Sequence, residues 1–412
     1  MPAIETAAPE RPATEPASLR RFYAFKLTTE TSFTGAIWIL YLQHRGFSLT
    51  QIGLAEAAFH LAPVLLEIPS GSFADLVGRR WSLAIGSLLI ALSTALMFVA
   101  PSLPLMMLAL FLNGASYSFR SGADQAFLYD SLGERQSGFA GILGKLMGAS
   151  YVIAGATIWI GAALSDISYT WPFALAVGAG LAGVWLAVGL REAPVDGEHD
   201  TPRQTPRQHL GEAARILRGK PIVGMMLAFS GPFWAAGTVA FLYLQAAFAD
   251  RGLSNSVIGL VIGGALLLNA VGASLAGRFD GRGGFSRQLM ALAFLTGAGI
   301  TGLAAGPVGV AIFAYLFANL ASGLLEPLLF AWFNRQVPSA QRATLLSIES
   351  WTFSMTMIVV FPLGGWLAES AGWGVLFLVC GGAKIALALA IAVGIRLRGR
   401  ETMPGASWRR DT

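Results

Sequence analysis

The chain has 412 residues, 55% of them hydrophobic and only 12% charged, with 49 glycines and a formal charge of +5. Soluble proteins carry about 25% charged residues, and a water-facing surface with half that share would not stay dispersed. The balance excludes a soluble enzyme, a nucleic-acid-binding module and a disordered scaffold, and predicts an all-α membrane protein with many spans.

Residues 1–21 are rich in Pro, Ala and Glu and lack an apolar centre, so they read as a disordered cytoplasmic tail and not as a signal peptide. A bilayer core of about 30 Å takes about 20 apolar residues per helix. Apolar runs between charged or Pro/Gly breaks give twelve predicted spans: 22–44, 49–73, 81–100, 104–128, 139–164, 171–190, 221–247, 256–277, 288–305, 308–333, 344–368 and 374–395. The first six form a predicted bundle over 22–190 and the last six a second over 221–395. A polar, Pro-interrupted central loop, 191–220, divides them, and 396–412 is a second tail. Twenty-two lysines and arginines fall on one side of this arrangement, against Arg45 and Arg251 on the other. The positive-inside rule then puts both termini in the cytoplasm.

Charges at membrane depth are costly, and each asks for a function or a partner. Span 1 places Lys26 and Glu30 four residues apart on one helix face, and span 4 repeats that spacing with Arg120 and Asp124. Span 10 adds Glu326. Two readings stand for these acids and bases: a proton-coupling site whose net charge changes on protonation, or a permanently paired network. In span 2, Glu56, His60, Pro63, Glu67 and Ser70 fall on one stripe at helical spacing. Glu56 and His60 either pass protons or cap a water-filled outer vestibule. Lys145 in span 5 and Glu349 in span 11 occupy corresponding places near the cytoplasmic ends, either pairing across a gate or snorkelling. Lys384 in span 12 has snorkelling, a lipid phosphate or a partner subunit as its candidate explanations.

The two halves repeat. Residues 45–54 (RGFSLTQIGL) and 251–260 (RGLSNSVIGL) match at an offset of 206, and Leu40-Tyr41-Leu42 lies close to the register of Leu242-Tyr243-Leu244. Duplicated halves are common in transporters with a midplane site.

Between spans 2 and 3 stands Gly71-Ser-Phe-Ala-Asp75-Leu-Val-Gly78-Arg79-Arg80. This run resembles the cytoplasmic loop motif of the major facilitator superfamily, and Gly277-Arg-Phe-Asp280-Gly-Arg282 is similar to its degenerate second-half copy. Phe119 to Asp130 resembles the end of span 4 in bacterial drug-efflux-like members, and Pro362-Leu-Gly364-Gly365 with Gly372-Trp373 resembles the end of span 11. The resemblance implies twelve spans in two pseudo-symmetric six-helix bundles, in a bacterial plasma membrane. It further implies that spans 1, 4, 7 and 10 line a cavity, where Trp38, Asn113, Tyr117, Trp234, Tyr315 and Asn319 become the candidate substrate contacts. In the motif, Gly71 and Gly78 allow tight turns, while Asp75, Arg79 and Arg80 make and release contacts between states. The chain departs from the antiporter pattern in span 5, which has Gly144, Gly148, Gly155 and Gly161 but no Gly-Pro pair.

The expected partners are therefore the bilayer, protons and a small-molecule substrate, with no nucleic acid, no cofactor and a monomeric state. Four histidines without ligand spacing predict no metal site, and the chain has no Gly-rich phosphate loop. Efflux of small amphipathic or drug-like molecules in exchange for protons leads the expectations. Uptake of an organic solute and a non-transporting membrane receptor are the alternatives, since fold alone does not fix function.

Overall fold

A computed structural model describes residues 16–192, 211, 218–219, 221–279, 285–336 and 342–397. The chain ends, most of the central loop, and Asp280 and Arg282 of the second-half loop lie outside the described residues. The described regular structure is helical throughout. In unit 1, helices α1 (Pro16–Thr29) and α2 (Trp38–His44) make up a broken first span, followed by α3 (Leu49–Val77), α4 (Arg79–Val99) and α5 (Leu103–Arg120). A short α6 (Ala123–Ser131) leads to α7 (Phe139–Ser165) and α8 (Thr170–Val188). The second set is α9 (Pro221–Asp250), α10 (Asn255–Leu275), α11 (Phe285–Gly302), α12 (Val308–Gln336) and α13 (Arg342–Leu397). The last turns at Gly372 and supplies spans 11 and 12.

The chain is an all-α membrane protein of twelve spans in two pseudo-symmetric bundles. Among the described residues, eight helices are long and apolar enough to cross a membrane, one of them the bent α13 that supplies two spans. The three spans outside that set have local causes: the first is interrupted, α5 carries Asn113, Tyr117 and Arg120 among its apolar residues, and α11 opens on Ser286, Arg287 and Gln288. Large apolar side chains such as Ile167, Phe313 and Trp185 stand exposed on the surface, as helices bordering lipid require.

Two compact units form. Unit 1 takes in residues 54–203 with the first 47 residues and Leu253–Gly263, and unit 2 takes in Ser48–Gly53, Gln204–Gly252 and the chain from Gly264. The core of unit 1 gathers Phe22, Phe25, Leu83, Phe127 and Leu190, and that of unit 2 gathers Met226, Phe233, Leu329 and Phe333.

The repeat is visible in side-chain detail. Gly46 and Gly252, 206 apart, both adopt positive φ, at 89° and 84°, and each precedes a helix start. Arg45 donates to the carbonyls of Phe98 and Ala100 at the end of α4, and Arg251 to the carbonyl of Leu303 just beyond α11, 2.8 Å away. The first turn of each following helix meets a carboxylate. Asp166 accepts the backbone N–H groups of Asn255 and Ser256 at 3.0 Å each, and the Ser256 hydroxyl, within unit 1. Glu369 accepts the Thr50 N–H and hydroxyl within unit 2. An anion satisfying orphan N–H groups at a helix N-terminus contributes about 1 kcal/mol. Asp166→Ala is accordingly expected to lower thermal stability by about 1 kcal/mol, read as a small drop in melting temperature of the purified protein.

Candidate functional site

The first span breaks where its sequence turns polar. Thr28-Thr29-Glu30-Thr31-Ser32 offers hydroxyls that compete with helical hydrogen bonding. The Thr29 hydroxyl donates to the Lys26 carbonyl at 3.1 Å and the Thr31 hydroxyl to the Thr28 carbonyl at 2.8 Å. The Ser32 N–H is met by the Thr157 hydroxyl of α7 at 2.9 Å. Non-helical backbone at membrane depth persists only where protein or a polar cavity satisfies it, and here neighbouring side chains do so. Interrupted spans of this kind commonly carry ion or substrate sites in transporters.

Charges gather at this break. Lys26 Nζ lies 2.6 Å from Glu30 and 2.7 Å from Asp124. The expected Arg120–Asp124 pair on one helix does not form. Ser121 and Gly122, the latter at φ +77°, end α5 after Arg120 and start α6 in a new direction. Four-residue spacing places side chains together only along one continuous helix. Arg120 instead donates to the Thr29 carbonyl at the end of α1, 3.4 Å away, with its Nε buried and unpartnered. Both cations thus sit at the carbonyl end of a half-helix, where its dipole favours positive charge. The structure brings Lys26, Glu30, Arg120 and Asp124 together in unit 1.

Elsewhere in unit 1, Glu56 and His60 are neighbours at 3.7 Å and both are buried, which does not suit a cap on an open vestibule. Glu67 and Lys145 are exposed. Lys145 forms no ion pair among the described residues. Of the candidate contacts, Trp38 is buried, Asn113 is half-buried and Tyr117 is 52% exposed.

In the loop motif, Gly78 caps α4 at φ +116° and Arg79 pairs with Asp130 of α6. The Arg80 N–H donates to Glu192 at 2.9 Å. Gly71 and Asp75 are exposed, and Asp75 makes no ion pair among the described residues. A Cβ on Gly78 would lie 2.7 Å from a Glu192 oxygen in a backbone conformation hostile to L-residues. Gly78→Ala is therefore expected to cut transport at least tenfold while membrane expression stays within about twofold, measured as flux per immunodetected protein.

Unit 2 contributes a cavity of about 230 Å³. Trp234 and Phe241 of α9, Asn269 of α10, Tyr315, Asn319 and Glu326 of α12, and Lys384 of α13 line it. Three of the predicted substrate contacts, Trp234, Tyr315 and Asn319, thus come together, joined by Glu326. Lys384 corrects its expectation: it is 1% exposed, so neither snorkelling nor a lipid phosphate accounts for it. Its ammonium sits 3.9 Å from the Phe233 ring centroid and 5.3 Å from that of Trp234. No acid lies within ion-pair distance of it among the described residues. Ring faces return about 2 kcal/mol to a desolvated cation, less than the several kcal/mol its burial costs. An all-round apolar span gives no periodic signal of the inward face, so sequence alone missed this residue's place. Glu349 lies near Glu326 and Ser230 within the same unit.

Residues 23–249 and 237–410 each match the family model described as Major Facilitator Superfamily. The chain is 25% identical over 357 residues, covering 83% of its length and 87% of the relative's, to YxaM of Bacillus subtilis (strain 168), an uncharacterized MFS-type transporter. Its fold is similar to a crystal structure of a mutant of the nucleoside transporter NupG, with TM-score 0.76, 14% identity and coverage of 91% of this chain and 98% of that one. A POT family transporter in complex with a thioalcohol-conjugated peptide matches at TM-score 0.65, with 13% identity over 91% of this chain and 93% of that one.

Proposed function

Because the chain belongs to the Major Facilitator Superfamily and is thus a secondary transporter of the membrane, we propose that it exports small, partly apolar organic molecules in exchange for protons by alternating access. The observation that carries this reading is the charge cluster at the broken first span, where one lysine holds two carboxylates from separate elements. Protonating either carboxylate removes half of the lysine's compensation and changes the balance of the cluster, which is how a proton biases one state over another. The aromatic and amide lining around Trp234, Tyr315 and Asn319 supports an organic solute with a flat apolar body. Outward direction rests on the likeness of residues 119–130 to efflux members. The proposed setting is a bacterial plasma membrane with both termini cytoplasmic, the protein acting as a monomer.

The test uses inside-out vesicles under an imposed pH gradient, screened with anionic, neutral and cationic dyes and antibiotics. Wild type is expected to accumulate at least one of them, with Glu30→Gln and Asp124→Asn at background. Flux indifferent to the gradient sinks proton coupling, and accumulation only in right-side-out vesicles reverses the direction to uptake. No flux of any solute would favour the receptor alternative.

A further inference from the structure

The unit 2 cavity holds two polar groups that the protein leaves unanswered. The Lys384 ammonium is buried, borders the cavity and lies beyond ion-pair distance of every described carboxylate. The Tyr315 hydroxyl is buried and makes no geometrically sound hydrogen bond among the described residues, the Asn319 side chain being its nearest polar neighbour. Its polar neighbour Asn319 has its amide nitrogen engaged by the Tyr315 carbonyl at 2.9 Å, and the Asn269 amide is directed to the Asn319 carbonyl at 3.4 Å. A buried cation faced by ring surfaces but by no described carboxylate, and a buried hydroxyl without a well-placed acceptor, are groups awaiting an acceptor. The lysine's ring neighbours Phe233 and Trp234 offer no counter-charge, and the surrounding helices pack closely enough that a Cβ on Gly237 would sit 2.9 Å from Nζ.

We propose that this cavity is a subsite for the charged end of a small aromatic monocarboxylate, with Lys384 as counter-ion and Tyr315 as hydroxyl donor. This deepens the transporter reading above and rests on it. Size argues for one ring: an apolar cavity of about 150 Å³ holds benzene, and about 230 Å³ adds room for a carboxylate but not for a bulky drug. Charge argues for a monoanion. One ammonium balances one carboxylate, whereas a dianion would meet the Glu326 carboxylate, which borders the same cavity, with its second charge unpaired. Trp234, Phe241 and Tyr315 supply the ring surfaces, with Phe241 and Tyr315 stacked at 6.3 Å between centroids. A bound carboxylate accepts from both unanswered donors at once, and no proton or electron needs to move.

The test is calorimetric titration of the purified full chain in detergent at neutral pH, with benzoate, its uncharged amide benzamide, and benzylamine. Benzoate is expected to bind at least about tenfold tighter than either of the others, as for a site whose buried polar groups are answered by one ligand only. Lys384→Met should remove that preference, and Tyr315→Phe should weaken benzoate about three- to tenfold with little loss of thermal stability, since no well-formed hydrogen bond holds its hydroxyl among the described residues. Tyr315→Phe keeps the proposal open to refutation even where Lys384→Met fails to fold. Equal or tighter binding of benzamide or benzylamine, no binding of benzoate, or benzoate affinity unchanged in Tyr315→Phe overturns it. No gradient enters this measurement, so the two readings fail separately. Lost proton coupling with benzoate preference intact removes only the coupling, and gradient-driven flux without that preference removes only the subsite.

Discussion

Gly161→Ala is expected to leave almost no correctly folded protein in the membrane. A Cβ at this position of α7 would lie 1.8 Å from the carbonyl oxygen of Phe33 and 2.6 Å from its carbon. Phe33 belongs to the non-helical stretch between α1 and α2, so the obstacle is backbone whose path is already fixed by the Ser32–Thr157 hydrogen bond. Overpacking against side chains costs about 1–3 kcal/mol. Against a carbonyl held this close, the cost lies at or above that range, and the break must move away from the charge cluster. Fluorescence-detected size exclusion of the solubilised variant checks it, with aggregated or absent protein as the predicted result. A sharp wild-type peak with wild-type flux would show that the break does not depend on this approach.

Lys26→Met has the second-largest expected effect. It strips the cation from Glu30 and Asp124 together, leaving Arg120 as the remaining base of the group. Breaking a buried ion pair by removing one partner costs about 3–5 kcal/mol. The Lys26 side chain is 19% exposed and Glu30 34%, so solvent screening reduces this to about 2 kcal/mol. Flux is expected at background. The double variant Lys26→Met with Asp124→Asn removes one charge of each sign and should regain about half of the lost stability. Thermal melts of the four proteins of that cycle give the coupling energy directly. Additive losses in the cycle would show that the two side chains do not act as a pair.

Most of the fold was legible because a bilayer leaves a coarse imprint: long apolar runs, short loops and one-sided basic charge. The repeat was legible for a different reason. Arg45-Gly46 and Arg251-Gly252 recur because the same turn and the same arginine-to-carbonyl contacts are built twice. The break in the first span was missed although its signal was present, since a 20-residue window averages Thr28 to Ser32 into the apolar residues on either side. The Arg120–Asp124 pairing failed on Ser121-Gly122, a dipeptide that marks a turn even inside an apolar run. The helix starting at Pro16 is another difference: residues 16–21, read as tail, form the opening of α1, because Leu19 packs into the core of unit 1 beside Phe22. For Lys384, nothing in span 12 distinguishes an inward from an outward face, and only packing against Phe233 and Trp234 decides it.

Proton coupling at the cluster of the broken span is a proposal about how solute movement is driven. It is tested most directly in proteoliposomes, using the panel solute with the largest wild-type flux and comparing gradient-driven accumulation with solute exchange at zero gradient. For Asp124→Asn, accumulation should fall to background while exchange continues within a few-fold of wild type, because a neutral side chain leaves the carrier cycle intact and removes its proton. Undiminished gradient-driven accumulation by Asp124→Asn would mean that protons do not couple through this cluster.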